Sequence, residues 1–178
     1  MSNVGHSMLV TCVLVALVAG CASRPEVRTD RDRTANMQSY RTFSFYDQLS
    51  TDRSQYSTLL SNHLKQATRE QLERLNYVYS EESPDLKVNF FLKVADKQEL
   101  RTAPGALGYR FYTGRSVETV SYRAGTLGID LVDASRNALV WEGIAEGRVD
   151  SEAMKNPGPA LNAVVGEIFA AFPDGSSN

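Results

Sequence analysis

The sequence predicts an α+β fold: a two-layer sandwich whose mostly antiparallel sheet carries two amphipathic helices packed on one face. Two segments of helical length repeat their apolar residues at three- and four-residue steps. Between them, apolar and polar residues alternate as they do in strands with one buried face. Polar turns join these strands as hairpins, which makes neighbours antiparallel, and two helices can cover only one face of such a sheet.

The first segment of the domain leaves two interpretations open. Residues 21–38 precede the domain and include a charge-rich stretch at 24–37, which forms either a solvated tether or a first edge strand around Val27. The stretch YRTFSFYD at 40–47 alternates aromatic and β-branched residues with others, which predicts a strand. A single domain is expected over residues 39–173, with a disordered tail at 174–178.

The clearest helix is expected to begin at Thr51 or Asp52, because either side chain can accept a free backbone N–H there. It should end at Asn76, which tolerates a left-handed turn. Its apolar stripe consists of Tyr56, Leu60, Leu64, Ala67, Gln71 or Leu72, and Leu75. After a polar loop, residues 86–95 alternate strictly, which predicts a strand with one face in the core.

The second half of the chain predicts more strands and the second helix. Short strands are expected over 109–113 and 117–123, followed by a hairpin whose arms span 127–131 and 139–149. Small residues at 143, 145 and 147 predict a closely packed helix. That helix should start with Asn156 as its cap and stop at Pro173. Its stripe is Leu161, Val164, Val165, Ile168, Phe169 and Phe172.

The N-terminus predicts export and anchoring. Residues 8–19 form an apolar run that is too short to span a bilayer comfortably but has the length of a secretory signal core. The four residues 18–21, VAGC, resemble a bacterial lipobox, which implies a signal peptide over 1–20 and lipidation at Cys21. By resemblance to enterobacterial sorting, Ala22 favours the outer membrane. The alternative is that Cys21 is a small buried residue of an N-terminal helix.

Composition narrows the function classes. A formal net charge of −2 over 178 residues does not favour nucleic-acid binding. The two cysteines are Cys12, inside the expected signal, and Cys21. The mature chain therefore cannot form an intramolecular disulfide, and its stability must come from packing.

Five further segments accompany the lipobox pattern: YRTFSFYD, LERLNY, SPDLKVNFFL, GTLGIDLVDASRNALVWEG and AVVGEIFAAFP. Together they resemble the bacterial lipoproteins grouped as domain of unknown function 4136. Asn76 replaces a glycine common in that family, and Glu142 replaces a frequent basic residue. The resemblance implies the envelope location and the sandwich, and it assigns no activity or catalytic residues.

Candidate catalytic chemistry is sparse. His63 is the sole histidine after residue 20 and lies within the first helix, so we predict no histidine-based catalytic or metal site, and no cofactor. Carboxylates occur at Asp130, Asp133, Glu142 and Glu146, where a solvent face or a turn is the simpler interpretation. Asp130 alternates with apolar neighbours and is the carboxylate worth testing.

One cluster is a candidate contact surface. Aromatic residues beside arginines are enriched at interfaces, although half of such a cluster can equally face the core of an irregular strand. The cluster consists of Tyr109, Arg110, Phe111, Tyr112 and Arg115.

The expected function is a non-enzymatic lipoprotein that binds a protein, glycan or lipid partner while held to the membrane by Cys21. The alternatives are an accessory subunit of an envelope transport or assembly complex, and an envelope hydrolase that uses carboxylates.

Overall fold

The computed structural model describes residues 24–53, 57–102 and 117–173. Within these ranges the α+β fold is confirmed. A 3₁₀ turn spans Met37–Ser39. The strands are β1 Glu26–Arg31, β2 Thr42–Phe45, β3 Val78–Tyr79, β4 Leu86–Thr102, β5 Val117–Asp133 and β6 Ala138–Arg148, and the helices are α1 Leu59–Arg74, α2 Ser151–Lys155 and α3 Pro157–Ala170.

The strands form one sheet in the order β1-β6-β5-β4-β2-β3. The neighbours β1/β6, β6/β5 and β5/β4 are antiparallel, whereas β2 runs parallel to both β3 and β4. The sheet is therefore mostly antiparallel, as predicted. The open question about residues 24–38 is settled in favour of an edge strand, because Val27 pairs with Ala145 of β6.

The helices α1 and α3 lie side by side and run in the same direction. A Cβ atom added to Gly158 would lie 3.2 Å from the His63 ring, and one added to Gly166 would lie 3.6 Å from the Gln71 side chain. The core between this pair and the sheet contains the fully buried residues Phe43, Leu64, Leu72, Leu86, Val88, Phe90, Ile129, Leu131, Val140, Trp141, Val165 and Ile168.

The predicted start of α1 is wrong. The helix begins at Leu59, and its cap is Thr58, whose hydroxyl accepts the Ser61 N–H at 3.1 Å. Asp52 instead accepts the Leu49 N–H and closes an earlier turn. Tyr56 lies outside the described residues. The predicted end is confirmed, since Asn76 has a φ of 66°.

The start of α3 is partly as predicted. Pro157 occupies the first position, but the Asn156 side chain makes no capping hydrogen bond. Asn156 ends the preceding helix α2, where its N–H bonds to Glu152. The sequence did not predict α2, because a helix of one turn is too short to show an apolar stripe.

The predicted strands at 86–95, 117–123 and 127–131 belong to two strands of 17 residues each. The strand predicted at 109–113 lies outside the described residues. β4 and β5 extend beyond the neighbouring strands, since β2 pairs with β4 only as far as Val88 and β6 pairs with β5 only as far as Ala124. We call residues 97–102 and 117–122 the ribbon. Each arm is about 20 Å long.

The close approach of a helix to β6, which the sequence predicted, is confirmed at Gly143. A Cβ added to Gly143 would lie 2.4 Å from Ile168 of α3 and 2.5 Å from the Trp141 ring. At Gly147 the prediction is wrong, because the nearest neighbour is Pro25, 3.3 Å away, and not a helix.

We predict that Gly143→Ala lowers the free energy of unfolding by about 1–3 kcal/mol, because the added methyl overlaps Ile168 and the indole ring. The measurement is urea denaturation followed by circular dichroism.

The matched control is Gly166→Ala. Its methyl meets only ordinary contact in α3, so this variant should gain up to about 1 kcal/mol from helix propensity. Equal effects at the two sites would contradict the packing assigned to β6.

Candidate functional site

A row of acidic residues crosses the sheet on the face away from the helices. Asp130 of β5 pairs with Glu142 of β6, which also pairs with Asp30 of β1. One Asp130 oxygen is buried without a hydrogen-bond partner among the described residues. Burial, and then the charge of Glu142, raises the pKa of Asp130 to about 6. The structure thus brings the predicted carboxylates Asp130 and Glu142 together.

Glu146 lies outside this row, because it forms an ion pair with Lys97. The Glu146 and Lys97 side chains are both substantially exposed. Within the described residues, no group of three histidine, cysteine or acidic side chains is arranged to hold a metal ion. The acidic row therefore raises the pKa of Asp130, but among the described residues it does not form a metal site.

Asp133 is the turn residue that the sequence predicted, and it is buried. It accepts five hydrogen bonds, all within 2.9 Å. One comes from the Tyr40 hydroxyl, and Ser135 and Arg136 each donate one from the backbone N–H and one from the side chain. These bonds, led by the Ser135 hydroxyl and the Arg136 guanidinium, hold the pKa of Asp133 well below its ordinary value. Asp133 therefore fastens the β5–β6 turn to the segment before β2.

His63 has a packing role. Its ring lies against Gly158 at the start of α3, where the missing side chain lets the two helices approach. This contact places the His63 ring between the two helices.

A cleft of about 490 Å³ opens at the end of the domain where α1 and α3 terminate. Arg41 and Arg74 supply its positive charge, and none of the described residues that line it is acidic. The Arg41 guanidinium donates to the carbonyl oxygens of Gln38 and Tyr40. Arg74 lies in the last turn of α1, where helix carbonyls favour a cation. The lining consists of Met37, Gln38, Tyr40, Arg41, Arg74, Leu75, Asn76, Tyr77, Phe172 and Pro173.

The sequence did not reveal this cleft, because its walls come from three distant segments. Tyr77 closes one side, since its hydroxyl bonds to the Met37 carbonyl and its ring packs edge-on against Phe172 at 6.3 Å. The available sequence signal was the left-handed residue Asn76, which marks where α1 turns back toward the sheet.

The predicted lipidation site Cys21 lies outside the described residues. So does the predicted contact cluster, Tyr109, Arg110, Phe111, Tyr112 and Arg115. That cluster belongs to the segment between Thr102 and Val117, which pair at the end of the ribbon.

A family model described as a domain of unknown function (DUF4136) matches residues 27–174. The chain belongs to this family. No curated protein matches it. The described helices include none that is long and apolar enough to cross a membrane.

Among solved structures, the DUF4136 chain is similar in fold to a PDZ domain protein from Parabacteroides distasonis, with a TM-score of 0.56 and 14% identity. The match covers 85% of this chain but only 37% of that protein. A PelC dodecamer from Paraburkholderia phytofirmans gives a TM-score of 0.45 and 10% identity, over 82% of this chain and 96% of that one. A minor lipoprotein from Acinetobacter baumannii gives a TM-score of 0.41 and 8% identity, and the match covers 74% of this chain and 91% of that one.

We predict opposite effects of neutralising the buried Asp133 and the half-buried Asp130 at pH 7. Asp133→Asn should cost about 2–4 kcal/mol of unfolding free energy, because five donors lose their charged acceptor. Asp130→Asn should gain about 1 kcal/mol, because its ionised form is penalised in the folded state. Denaturant titrations between about pH 2 and about pH 8 measure both.

The two effects should depend on pH in opposite ways. The pKa of Asp133 is depressed, so its stabilisation is present above the ordinary value of 3.8 and is lost at lower pH. The pKa of Asp130 is raised, so its penalty grows between 3.8 and about 6 and is absent below that window. Asp47→Asn, at an exposed position, should change stability by less than about 0.5 kcal/mol. A gain from Asp130→Asn that persists at pH 4 would contradict the assignment.

Proposed function

We propose that this DUF4136 protein is a lipid-anchored protein of the bacterial envelope, tethered through Cys21, whose domain binds a partner and does not catalyse a reaction. The lipobox-like residues 18–21 and the preceding apolar run support the anchor. Diacylglyceryl and amide-linked acyl chains together would hold the domain stably, since one chain alone binds marginally. The outer membrane is the proposed location.

The cleft carries the binding part of the proposal. It combines two guanidinium groups with apolar walls from Met37, Leu75 and Phe172. Guanidinium groups recognise carboxylate and phosphate oxygens, and apolar walls exclude water from such contacts. The cleft therefore suits an anionic group carried on an apolar body, such as an acidic segment of a partner protein.

The direction of β1 supports this assignment. Glu26, five residues after Cys21, pairs with Glu146 and so lies level with Thr126 and Lys93. The cleft lies at the other end of the sheet, beside Leu86, since the Arg41 N–H bonds to Asp85. Seven strand residues, or about 23 Å, separate the two levels. The anchored domain would present the cleft away from the membrane.

We predict that Cys21→Ser releases the protein from the membrane fraction, because the acyl chains are its anchor. Cell fractionation with immunoblotting measures the release, and intact mass spectrometry of the wild type should show acylated Cys21 as the first residue. Recovery of the chain with residues 1–20 attached and no acyl chains would refute the anchor.

We predict that Arg74→Glu lowers partner recovery at least about tenfold, because it reverses a charge inside the cleft. Affinity capture of the detergent-solubilised, lipidated protein followed by quantitative mass spectrometry measures the recovery.

Lys155→Glu is the matched control, because it makes the same charge reversal in α2, away from the cleft. Equal recovery with both variants would remove the cleft from the proposal. A stable stoichiometric complex that depends on Arg74 would favour the accessory-subunit role.

A further inference from the structure

The exposed apolar side chains are distributed unequally between the two ends of the domain. The described chain has seven large hydrophobic residues with high exposure, and Leu139 and Val78 are at the cleft end. Leu92, Val94 and Leu100 lie along one face of β4 and its ribbon extension, with exposed fractions of 38%, 53% and 72%. Met154 joins them through its sulfur contact with Arg123 at the base of the ribbon. These residues continue the face that carries Val88 and Phe90, beyond the part that α1 and α3 cover.

The ribbon and the N-terminal tether leave the domain in the same direction. β1 starts at Glu26, level with Lys93, and β4 runs from that level outward to Thr102. Five residue steps from Cys21 to Glu26 can span about 17 Å at most. Nine steps from Lys93 to Thr102 span about 30 Å. A lipid at Cys21 would therefore hold the ribbon end of the domain close to the bilayer, because the tether is shorter than the ribbon.

The backbone of the ribbon determines how deep it can go. Among the described strands, none pairs with the outer edge of β4 beyond Val88 or of β5 beyond Ala124. Unpaired N–H and C=O groups are not tolerated in the hydrocarbon core. The ribbon must therefore lie tilted in the interfacial layer, where water and headgroups satisfy its edges.

The charge of this region favours an apolar contact over an electrostatic one. Residues 93–102 and 117–126 contain four basic and three acidic side chains, so their net charge of +1 offers little attraction to anionic lipid. Two of them, Asp96 and Arg123, are paired at 3.4 Å. Contact with a membrane would therefore come from the exposed apolar side chains of Leu92, Val94 and Leu100.

We propose that the ribbon is a second membrane contact: its β4 face, with Leu92, Val94 and Leu100, rests in the interfacial layer of the leaflet that holds the anchor. This inference depends on the proposed lipidation of Cys21. The two contacts together fix the orientation of the domain, which a flexible lipid tether alone would not do. In this proposal the lipid surface is the partner that covers the apolar face.

The test maps which residues touch lipid. The mature chain is reconstituted in phosphatidylcholine vesicles that contain a lipid with a diazirine near its headgroup, and crosslinked residues are identified by mass spectrometry. A parallel sample is coupled through the Cys21 thiol to a maleimide lipid, so that the ribbon is tested whatever the cell attaches. Crosslinks should concentrate in residues 92–100, with few in 37–41 and 74–77.

Two matched variants sharpen the result. Leu100→Asp should reduce crosslinking of the ribbon at least about threefold, since it places a charge in the interfacial layer. Val78→Asp changes a similarly exposed residue, 61% accessible, at the cleft end and should have no effect. Replacing half of the lipid with phosphatidylglycerol should leave the pattern unchanged. Denaturant titration confirms that both variants are folded.

The outcomes separate the two proposals. An unmodified Cys21 in protein taken from cells refutes the anchor without bearing on the ribbon of the coupled sample. Anchored protein whose ribbon acquires no lipid crosslinks overturns this inference and leaves the anchor intact. Crosslinks between the ribbons of two chains would also overturn it, since the open edges would then pair with a second copy. Equal crosslinking of both ends would refute the fixed orientation.

Discussion

The packing of α3 against β6 is the contact on which the rest of the structure depends. Gly143 leaves room for Ile168, and the Trp141 ring fills the space beside it, with its centroid 5.5 Å from Phe169 and 5.0 Å from Phe172. The indole N–H has no hydrogen-bond partner among the described residues, so Trp141 contributes through packing alone. The described residues include no cysteine, so apolar contacts such as this one join the C-terminal helix to the sheet.

The same contact creates the cleft. Because α3 is seated on β6, its last residues Phe172 and Pro173 come beside Tyr77, which follows α1. The parallel arrangement of α1 and α3 places both helix ends at one end of the domain. Asp133 completes that end by holding Tyr40 and Arg136, so the cleft wall is built on a buried hydrogen-bond network.

The two ends of the domain differ in kind. At the cleft end, side chains from several segments meet and satisfy one another. At the ribbon end, two strands continue past their neighbours and leave both apolar side chains and backbone edges uncovered. Native proteins normally protect long open edges by charge, cover or shortness. A membrane surface at this end would supply cover that the described residues do not.

Apolar periodicity in the sequence determined the layers of the fold. The stripe from Leu161 to Phe172 and the alternation from Leu86 to Phe90 each bury one face of their element. The left-handed Asn76 and the turn role of Asp133 also followed from local chemistry, because short polar side chains bond to the nearby backbone. The start of α1 did not, since Thr51, Asp52 and Thr58 are all competent caps and only tertiary contacts chose Thr58.

Tertiary structure alone decided how these elements are arranged. Pairing of Val27 with Ala145 made a strand of a segment whose charges also fit a tether. The parallel placement of β2, the length of the β4–β5 hairpin and the cleft depend on residues far apart in the chain, which local pattern does not encode. The same is true of Asp130, whose raised pKa arises from burial and from Glu142 across the ladder. The sequence specifies which faces must be buried, and the packing of the sheet against the helices decides which residues come into contact.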